Sequence, residues 1–569
     1  MSYNWRVNFL LTFFILAGIL VGGRLFYWQI LSSGSLTAIA ESQHWVSSNV
    51  SAERGKILAS DGFPIAANQE SFLLFASLPD IKEDAAKIAE TLAPIISGPD
   101  SLEIASTSAL IKERLNQSNL VWVPLKHKVS RQTKKEIEDL KLSGIGFENE
   151  QERSYPEGSA SAQLLGFVGS DINGEEKGYF GLEGYYDLEL KGHQGILKRE
   201  KDASGKPILI GEVKKEQEQN GRTLVTTIDR TIQYILWEKL KEGIEHYGAV
   251  SGSVVIMEPK TGAILGMVSW PNYDPKSYFL FDKNLYSNPV VSSAYEPGST
   301  FKILIMAATI NEGLVKPETN CDQCSGPRVI SGYTIKTWDE KYFPNSTMTE
   351  IIQHSDNVGM VFVGEKLGIN KMVEYLQNYG FGQKTGIDLE DESSLKLRSI
   401  SDWKEIDLAT SSFGQGIAVT PLQMVRAAST IANGGYLVNP FLVKKVISDE
   451  GTNEIIPKIG KQILKSATTL AVTEMMVNAV DNGEAKWAKP EGYRIAGKTG
   501  TAQIPVAGHY DKDKTIASFI GFAPADDPKF VMLVTLREPA SSPWGAETAA
   551  PLWFNIAKEI FTYYGIQPN

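Results

Sequence analysis

Two cysteines and six histidines in 569 residues leave no Cys/His set at metal-ligand spacing and no disulfide-built scaffold. Cys321 and Cys324 sit together in NCDQCSG, so a local disulfide or a pair of idle thiols is what the residues allow, and an extracytoplasmic location would favour the disulfide. Basic charge is also short. The net charge is −11 and no Lys/Arg run forms a binding stripe, which sets nucleic acid aside as a partner. No G-x-S-x-G elbow is present, so His354, beside Ser355, reads as a packed helix residue and not as part of a Ser-His-Asp triad. There is no fixed-period repeat and no long low-complexity tract, yet the chain is too long for one hydrophobic core, so two or three domains are expected.

A long uncharged run occurs at the N-terminus. Val7 to Gly23 (VNFLLTFFILAGILVGG) spans about 25 Å as a helix, slightly short of a bilayer core, and Arg24 could snorkel so that LFYWQIL completes the span. Ala38-Ile39-Ala40 resembles a cleavage site but lies well beyond the apolar run, which favours an uncleaved signal anchor over a signal peptide. Arg6 and the terminal amine are the charges that would hold the near end inside. A mixed region follows, and the polar stretch Lys201 to Asn220 marks a boundary. Beyond it, two apolar runs around Pro259-Lys260-Thr261-Gly262 predict a hairpin, helical segments fill the middle, and YRIAGKTGTAQ, TIASFIGFAP and KFVMLVTLRE predict three late strands before a last helix. Two early and three late strands suggest one antiparallel sheet with a helical layer inserted in sequence, an α+β architecture.

Chemistry enters at Ala294 to Gly313, AYEPGSTFKILIMAATINEG. The helix after Pro297-Gly298 is apolar on nearly every side, so Lys302 has to be buried, with Ser299 its nearest polar neighbour one turn earlier. Burial disfavours the ammonium, so a neutral amine can take the hydroxyl proton and activate Ser299, and the free N–H groups of the helix start favour an oxyanion beside it. Ser-x-x-Lys also occurs at Ser393/Lys396 and Ser401/Lys404, but in polar stretches where the lysine stays solvated. Two further motifs follow in order: Ser355-Asp356-Asn357, 56 residues after Ser299, and Lys498-Thr499-Gly500-Thr501, 143 residues after Ser355. Lys-Thr-Gly recurs at Lys260 and Lys384, in a hairpin turn and after a Gly-rich loop, where it reads as structural.

This ordered set resembles that of the penicillin-binding proteins and serine β-lactamases. The chain is most similar to the class B penicillin-binding proteins, membrane-anchored peptidoglycan D,D-transpeptidases, and within them leans to the division-type (FtsI-like) branch over the elongation-type branch. RGKI at Arg54–Ile57, RSYPEGSASAQLLGFVG at Arg153–Gly169, GLEGYYDLELKGHQG at Gly181–Gly195, TTID at Thr226–Asp229 and FGQGIAVTPLQM at Phe413–Met424 carry the likeness over nearly the whole chain; Ala59-Ser60 departs from the Asp-Arg usual after the RGxI box.

The resemblance implies an anchor over 1–30, a non-catalytic, dimerisation-like elongated pedestal over 31–215 and a transpeptidase domain over 216–569, whose five-stranded antiparallel sheet is flanked by helices. It implies a single-pass protein of the cytoplasmic (inner) membrane with the catalytic domain outside. Ser299 would attack the penultimate D-alanine of a D-Ala-D-Ala stem peptide, with Lys302 as base and the Ser299 and Thr501 N–H groups as oxyanion hole. Ser355 and Lys498 would pass a proton to the departing D-alanine, and Asn357 would hold the substrate amide and orient Lys302. Thr499, Gly500 and Thr501 form the substrate-binding strand, with both threonines and Lys498 on the terminal carboxylate. An amine of a neighbouring stem peptide then resolves the acyl-enzyme. No metal or organic cofactor is implied, and β-lactams would inhibit covalently.

No Glu-Asp-x-x-Phe-x-x-His motif of a glycosyltransferase appears, so the enzyme is expected to depend on a separate membrane glycan polymerase (FtsW/RodA-type) and on other divisome or elongasome proteins. Two alternatives remain at this level: a D,D-carboxypeptidase or β-lactamase-like hydrolase, for which the nearest approach to a Glu-x-x-Leu-Asn element is Glu392-Ser-Ser-Leu395 followed by Lys396, and a non-catalytic penicillin-binding scaffold or sensor.

Overall fold

A computed structural model describes residues 4–50, 52–98, 100–117, 119–172, 174–201, 213–506 and 509–568. The sequence boundary at Lys201–Asn220 falls largely on 202–212, outside the described residues. The chain divides into two compact units, one built from residues up to 54 with 191–221, the other from 55–190 with 222–569.

In the smaller unit the helix Asn4–Phe26 runs into a π-helical turn Tyr27–Leu31. Together they make one 28-residue rod whose most apolar 18-residue stretch has mean hydropathy 2.2 and is not buried, long enough to cross a bilayer. The helix Ser33–His44 follows, and the strand Trp45–Val50 pairs antiparallel with Gly195–Glu200, which pairs in turn with Val213–Glu216.

Among the described residues the larger unit holds two large sheets, of seven and five strands, and three two-stranded ones. In the first, Pro64–Ser77 pairs antiparallel with Trp122–Val129 and Ile145–Ser154. The RGKI and TTID boxes meet here. Ile57–Leu58 lies parallel to Thr223–Thr226, with Leu224 opposite Ile57, so the two boxes join the early segment to the later one through a shared backbone ladder.

The second sheet comprises β1 (Ser251–Met257), β2 (Ile264–Trp270), β3 (Ala496–Val506), β4 (His509–Ala523) and β5 (Phe530–Arg537). Its order is β2-β1-β5-β4-β3, antiparallel throughout, as the two-plus-three strand pattern predicts. The alternation along β1 explains why its sequence is apolar without a break. Val254 and Ile256 pack into one buried cluster with helices α1 (Arg230–Tyr247) and, at the C-terminus, Ala549–Tyr564; Val255 and Met257 pack into the other, which contains the helix α2 (Lys302–Asn311). Both faces are covered, and β3 is left at the edge.

Candidate active site

The nucleophile candidate sits on a 3₁₀ turn, Gly298–Phe301, that leads into α2. Two glycines shape the turn. The Gly298 N–H donates to the Gly414 carbonyl at 3.0 Å, and a Cβ on Gly414 would lie 2.1 Å from the Gly298 carbonyl oxygen, which is why the FGQG box carries glycine there. Ile303 to Ala308 are fully buried and so is Lys302, as the all-apolar helix requires. The lysine is tethered more elaborately than its spacing from Ser299 suggests: Nζ donates to the Ser355 carbonyl at 2.5 Å, to Ser355 Oγ at 3.3 Å and to Asn357 Oδ1 at 2.8 Å. The Ser299 hydroxyl makes no hydrogen bond among the described residues and faces the cleft.

Ser355 lies between helices α3 (Met348–Gln353), started by a Thr347/Glu350 capping box, and α4 (Asn357–Asn378). Its φ of +55° is strained for a serine. Asp356 caps α4 by accepting from Val358 N at 2.8 Å and Gly359 N at 3.1 Å, so Asn357 opens the helix with its amide turned to Lys302 and, through Nδ2, to the Lys336 carbonyl at 3.2 Å.

The third motif lies on the sheet-edge strand β3. Lys498 is buried and donates to Ser355 Oγ at 3.0 Å, to the Thr499 carbonyl at 3.1 Å and to Thr499 Oγ1 at 3.2 Å. Two lysines from separate elements thus converge on one serine oxygen. Gly500 is required by closeness: a Cβ there would stand 2.6 Å from Ser518 Oγ and 2.7 Å from Thr300 Cγ2. Gly500→Ala is therefore expected to push β3 off the nucleophile turn and to lower the penicillin acylation rate about 10²-fold, measured with a fluorescent penicillin, since displacements near 1 Å have that effect.

Burial, and then the charge of Lys498, hold the Lys302 ammonium well below its ordinary pKa, against the opposing pull of Asp356 and Glu484. Lys498 is lowered to about 8 by burial, with Glu484 raising it. One cleft is lined by Ser299, Ser355, Asn357, Thr499, Gly500 and Thr501, together with Trp338, Phe413, Gln415, Glu484 and Trp544. Sequence reading missed the last five. Phe413 and Gln415 belong to a box quoted only for likeness, Trp338 and Trp544 touch edge to face with ring centroids 5.0 Å apart, and Glu484 carries no motif at all.

The decoys separate cleanly. Lys396 and Lys404 are exposed, and Lys260 pairs with Asp527 at 2.7 Å. Glu392 is buried and accepts from Thr385 N, Thr385 Oγ1 and Gly386 N, which makes it a loop brace. His354 stacks on Phe343 at 4.2 Å. Cys321 and Cys324 form a buried disulfide.

Fold and cleft together define a class: a serine acyltransferase, because a free hydroxyl shares one cleft with a serine held by two buried lysines, over the edge strand of an antiparallel sheet, and that is what acyl transfer needs. Residues 252–562 match the penicillin binding protein transpeptidase domain, and residues 49–226 the penicillin-binding protein dimerisation domain. The chain is 34% identical to stage V sporulation protein D of Bacillus subtilis, over 99% of this chain and 86% of that protein. It is 29% identical to the peptidoglycan D,D-transpeptidase FtsI of Escherichia coli K12, over 100% and 93%. Among solved structures it is similar to penicillin-binding protein 3 of Mycobacterium tuberculosis complexed with aztreonam, with TM-score 0.70 and 26% identity over 92% and 98% of the two chains. A peptidoglycan synthetase from Bifidobacterium adolescentis aligns with TM-score 0.72 and 25% identity over the same shares. The chain belongs to the class B penicillin-binding protein family.

Proposed function

We propose that the protein is a peptidoglycan D,D-transpeptidase in which Ser299 forms the acyl-enzyme. The observation that carries this reading is the meeting of three motifs, far apart in sequence, around one cleft, with Lys302 and Lys498 both donating to Ser355 Oγ. Ser299 Oγ attacks the carbonyl of the penultimate D-alanine and Lys302, once it has shed one of the three protons it donates to Ser355 and Asn357, takes the hydroxyl proton as a neutral amine. The oxyanion rests on the Ser299 and Thr501 N–H groups; the close approach of Gly298 to the Thr501 carbonyl, 3.0 Å from a Cβ built there, supports their adjacency. Because Ser355 Oγ accepts from both lysines, its own proton is free for the leaving amine. Lys498, Thr499 and Thr501 hold the terminal carboxylate, and Asn357 the peptide amide. An acceptor amine then resolves the ester.

The same reading divides the chain into an anchor (1–30), a pedestal (31–215) and a catalytic domain (216–569). It sets the anchor across the cytoplasmic membrane with the catalytic domain outside, and the disulfide supports that side. Likeness to FtsI supports the division-type branch, and a membrane glycan polymerase with its divisome or elongasome partners would supply the strands.

The test is intact-mass and peptide-mapping spectrometry of the full chain in detergent after benzylpenicillin. The lactam C–N bond opens, its nitrogen takes the proton and Ser299 Oγ becomes an ester, so the whole drug mass is expected on the peptide that contains Ser299. A stable adduct there supports the transpeptidase. An adduct elsewhere, or none, overturns the reading in favour of a scaffold, and rapid loss of the adduct with drug consumed would mean hydrolysis.

A further inference from the structure

The cleft holds one uncommitted carboxylate. Glu484 follows the helix α5 (Ser466–Asn482) by two residues. The intervening Gly483 is packed tightly: a Cβ on it would stand 2.2 Å from the Ala479 carbonyl oxygen and 3.2 Å from that of Gln353, the last residue of α3. Asn478 Nδ2 also donates to Gln353 Oε1 at 2.8 Å. The end of α5 is thereby fixed against the segment that presents Ser355, and Glu484 lines the same cleft as Ser355 and Asn357. Solvent reaches its side chain, and its carboxylate makes no hydrogen bond or ion pair among the described residues. Asp356, the other acid close to the lysines, is buried and engaged in capping α4.

The second half of the reaction needs such a group. The acceptor is a primary amine and reaches the cleft at neutral pH as an ammonium ion, with an ordinary pKa near that of lysine, about 10.4. It cannot attack an ester until it sheds a proton. Lys302 and Lys498 are like-charged to it or already engaged with Ser355, and neither attracts a cation. We propose that Glu484 binds the acceptor ammonium and takes its first proton, which makes it a catalytic residue of acyl transfer to amines; this rests on the transpeptidase reading above. The ammonium gives one proton to the Glu484 carboxylate, leaving a neutral amine and a carboxylic acid. The amine nitrogen bonds to the acyl carbon as the carbon–Ser299 Oγ bond breaks. Its second proton passes through Lys302 to Ser299 Oγ, and Glu484 returns its proton to solvent.

The charged groups facing Glu484 agree with the role. Partial desolvation in the cleft raises its carboxyl and Asp339 raises it further, while Lys498, Lys302 and His354 pull it down. A raised carboxylate is the better proton acceptor, and the charge of Lys498 keeps it ionised until the acceptor arrives.

The test uses the full chain in detergent with an N-acyl-D-alanyl thioester as donor and D-alanine amide as acceptor, and reads the ratio of amide to free-acid product across pH. Glu484→Gln is expected to lower the ratio about tenfold or more near neutrality. The deficit should shrink as rising pH supplies free amine, and Glu484→Asp should recover part of it. A ratio in Glu484→Gln equal to that of the unaltered enzyme at every pH overturns the inference. If the unaltered enzyme forms no acyl-enzyme, the transpeptidase reading itself fails, a different result. If Glu484→Gln cannot be acylated by penicillin, Glu484→Asp alone decides: a lowered ratio supports the role, and an unchanged one overturns it.

Discussion

Replacing Lys302 by methionine is expected to slow acylation by penicillin about 10²- to 10⁴-fold, the range a positioned general base supplies. Methionine suits the site because the side chain is fully buried on an apolar helix and of similar length. What it removes is the donor to the Ser355 carbonyl and Asn357 Oδ1 and the base proposed for Ser299. Lys302→Arg should fail as badly, since a guanidinium stays charged and cannot accept a proton. The pH profile distinguishes a lost base from a disturbed pocket. In the unaltered protein the neutral fraction of Lys302 grows as pH rises through its lowered pKa, giving a rising limb. Lys498 must keep its proton to hold a carboxylate and loses it near its pKa of about 8, giving a falling limb. Stopped-flow acylation across pH should show this bell in the unaltered protein and only the falling limb in Lys302→Met. A rising limb that survives the substitution would assign the base elsewhere, with Ser355 the next candidate.

How much of this site could be read in advance depended on which residues carry a local signal. Ser299 and Lys302 were legible because one lysine in an otherwise apolar helix conflicts with burial, and a conflict of that kind points to function. The five strands were legible because their apolar runs are bounded by turns. Lys498 was not legible on physical grounds: its motif recurs at Lys260 and Lys384, and only its place on an edge strand, set by the pairing of β3 with β4, brings it to Ser355. The tether from Lys302 to Ser355 was hidden for the same reason, since it links a helix to a strained turn 53 residues away. Glu484 gave no signal, because its position follows from where α5 ends and what that end packs against. Periodicity reports which face of an element is buried, and says nothing of what lies beyond its last turn.

The pedestal segment poses the opposite problem, a charge pair that looks ordinary in sequence and is buried in the fold. Arg153, at the end of the strand Ile145–Ser154, donates through Nε to Glu183 at 2.6 Å and through Nη1 to Asn68 at 2.8 Å, and the Arg153 and Glu183 side chains are 4% and 0% exposed. Both residues belong to boxes that carry the family likeness, yet neither approaches the cleft. Burial without access to substrate makes the pair structural. Glu183→Ala leaves the guanidinium in a dry interior without its counter-charge, which is expected to destabilise the larger unit by about 3–5 kcal/mol. Thermal melts of the full chain in detergent, followed with penicillin acylation of the fraction still folded, separate stability from chemistry. The variant should melt well below the unaltered protein and still acylate at a similar rate while folded. If instead it melts normally and acylates slowly, the pair acts on the cleft through the shared ladder of Ile57–Leu58 and Thr223–Thr226, and the pedestal is a conformational input to the catalytic domain.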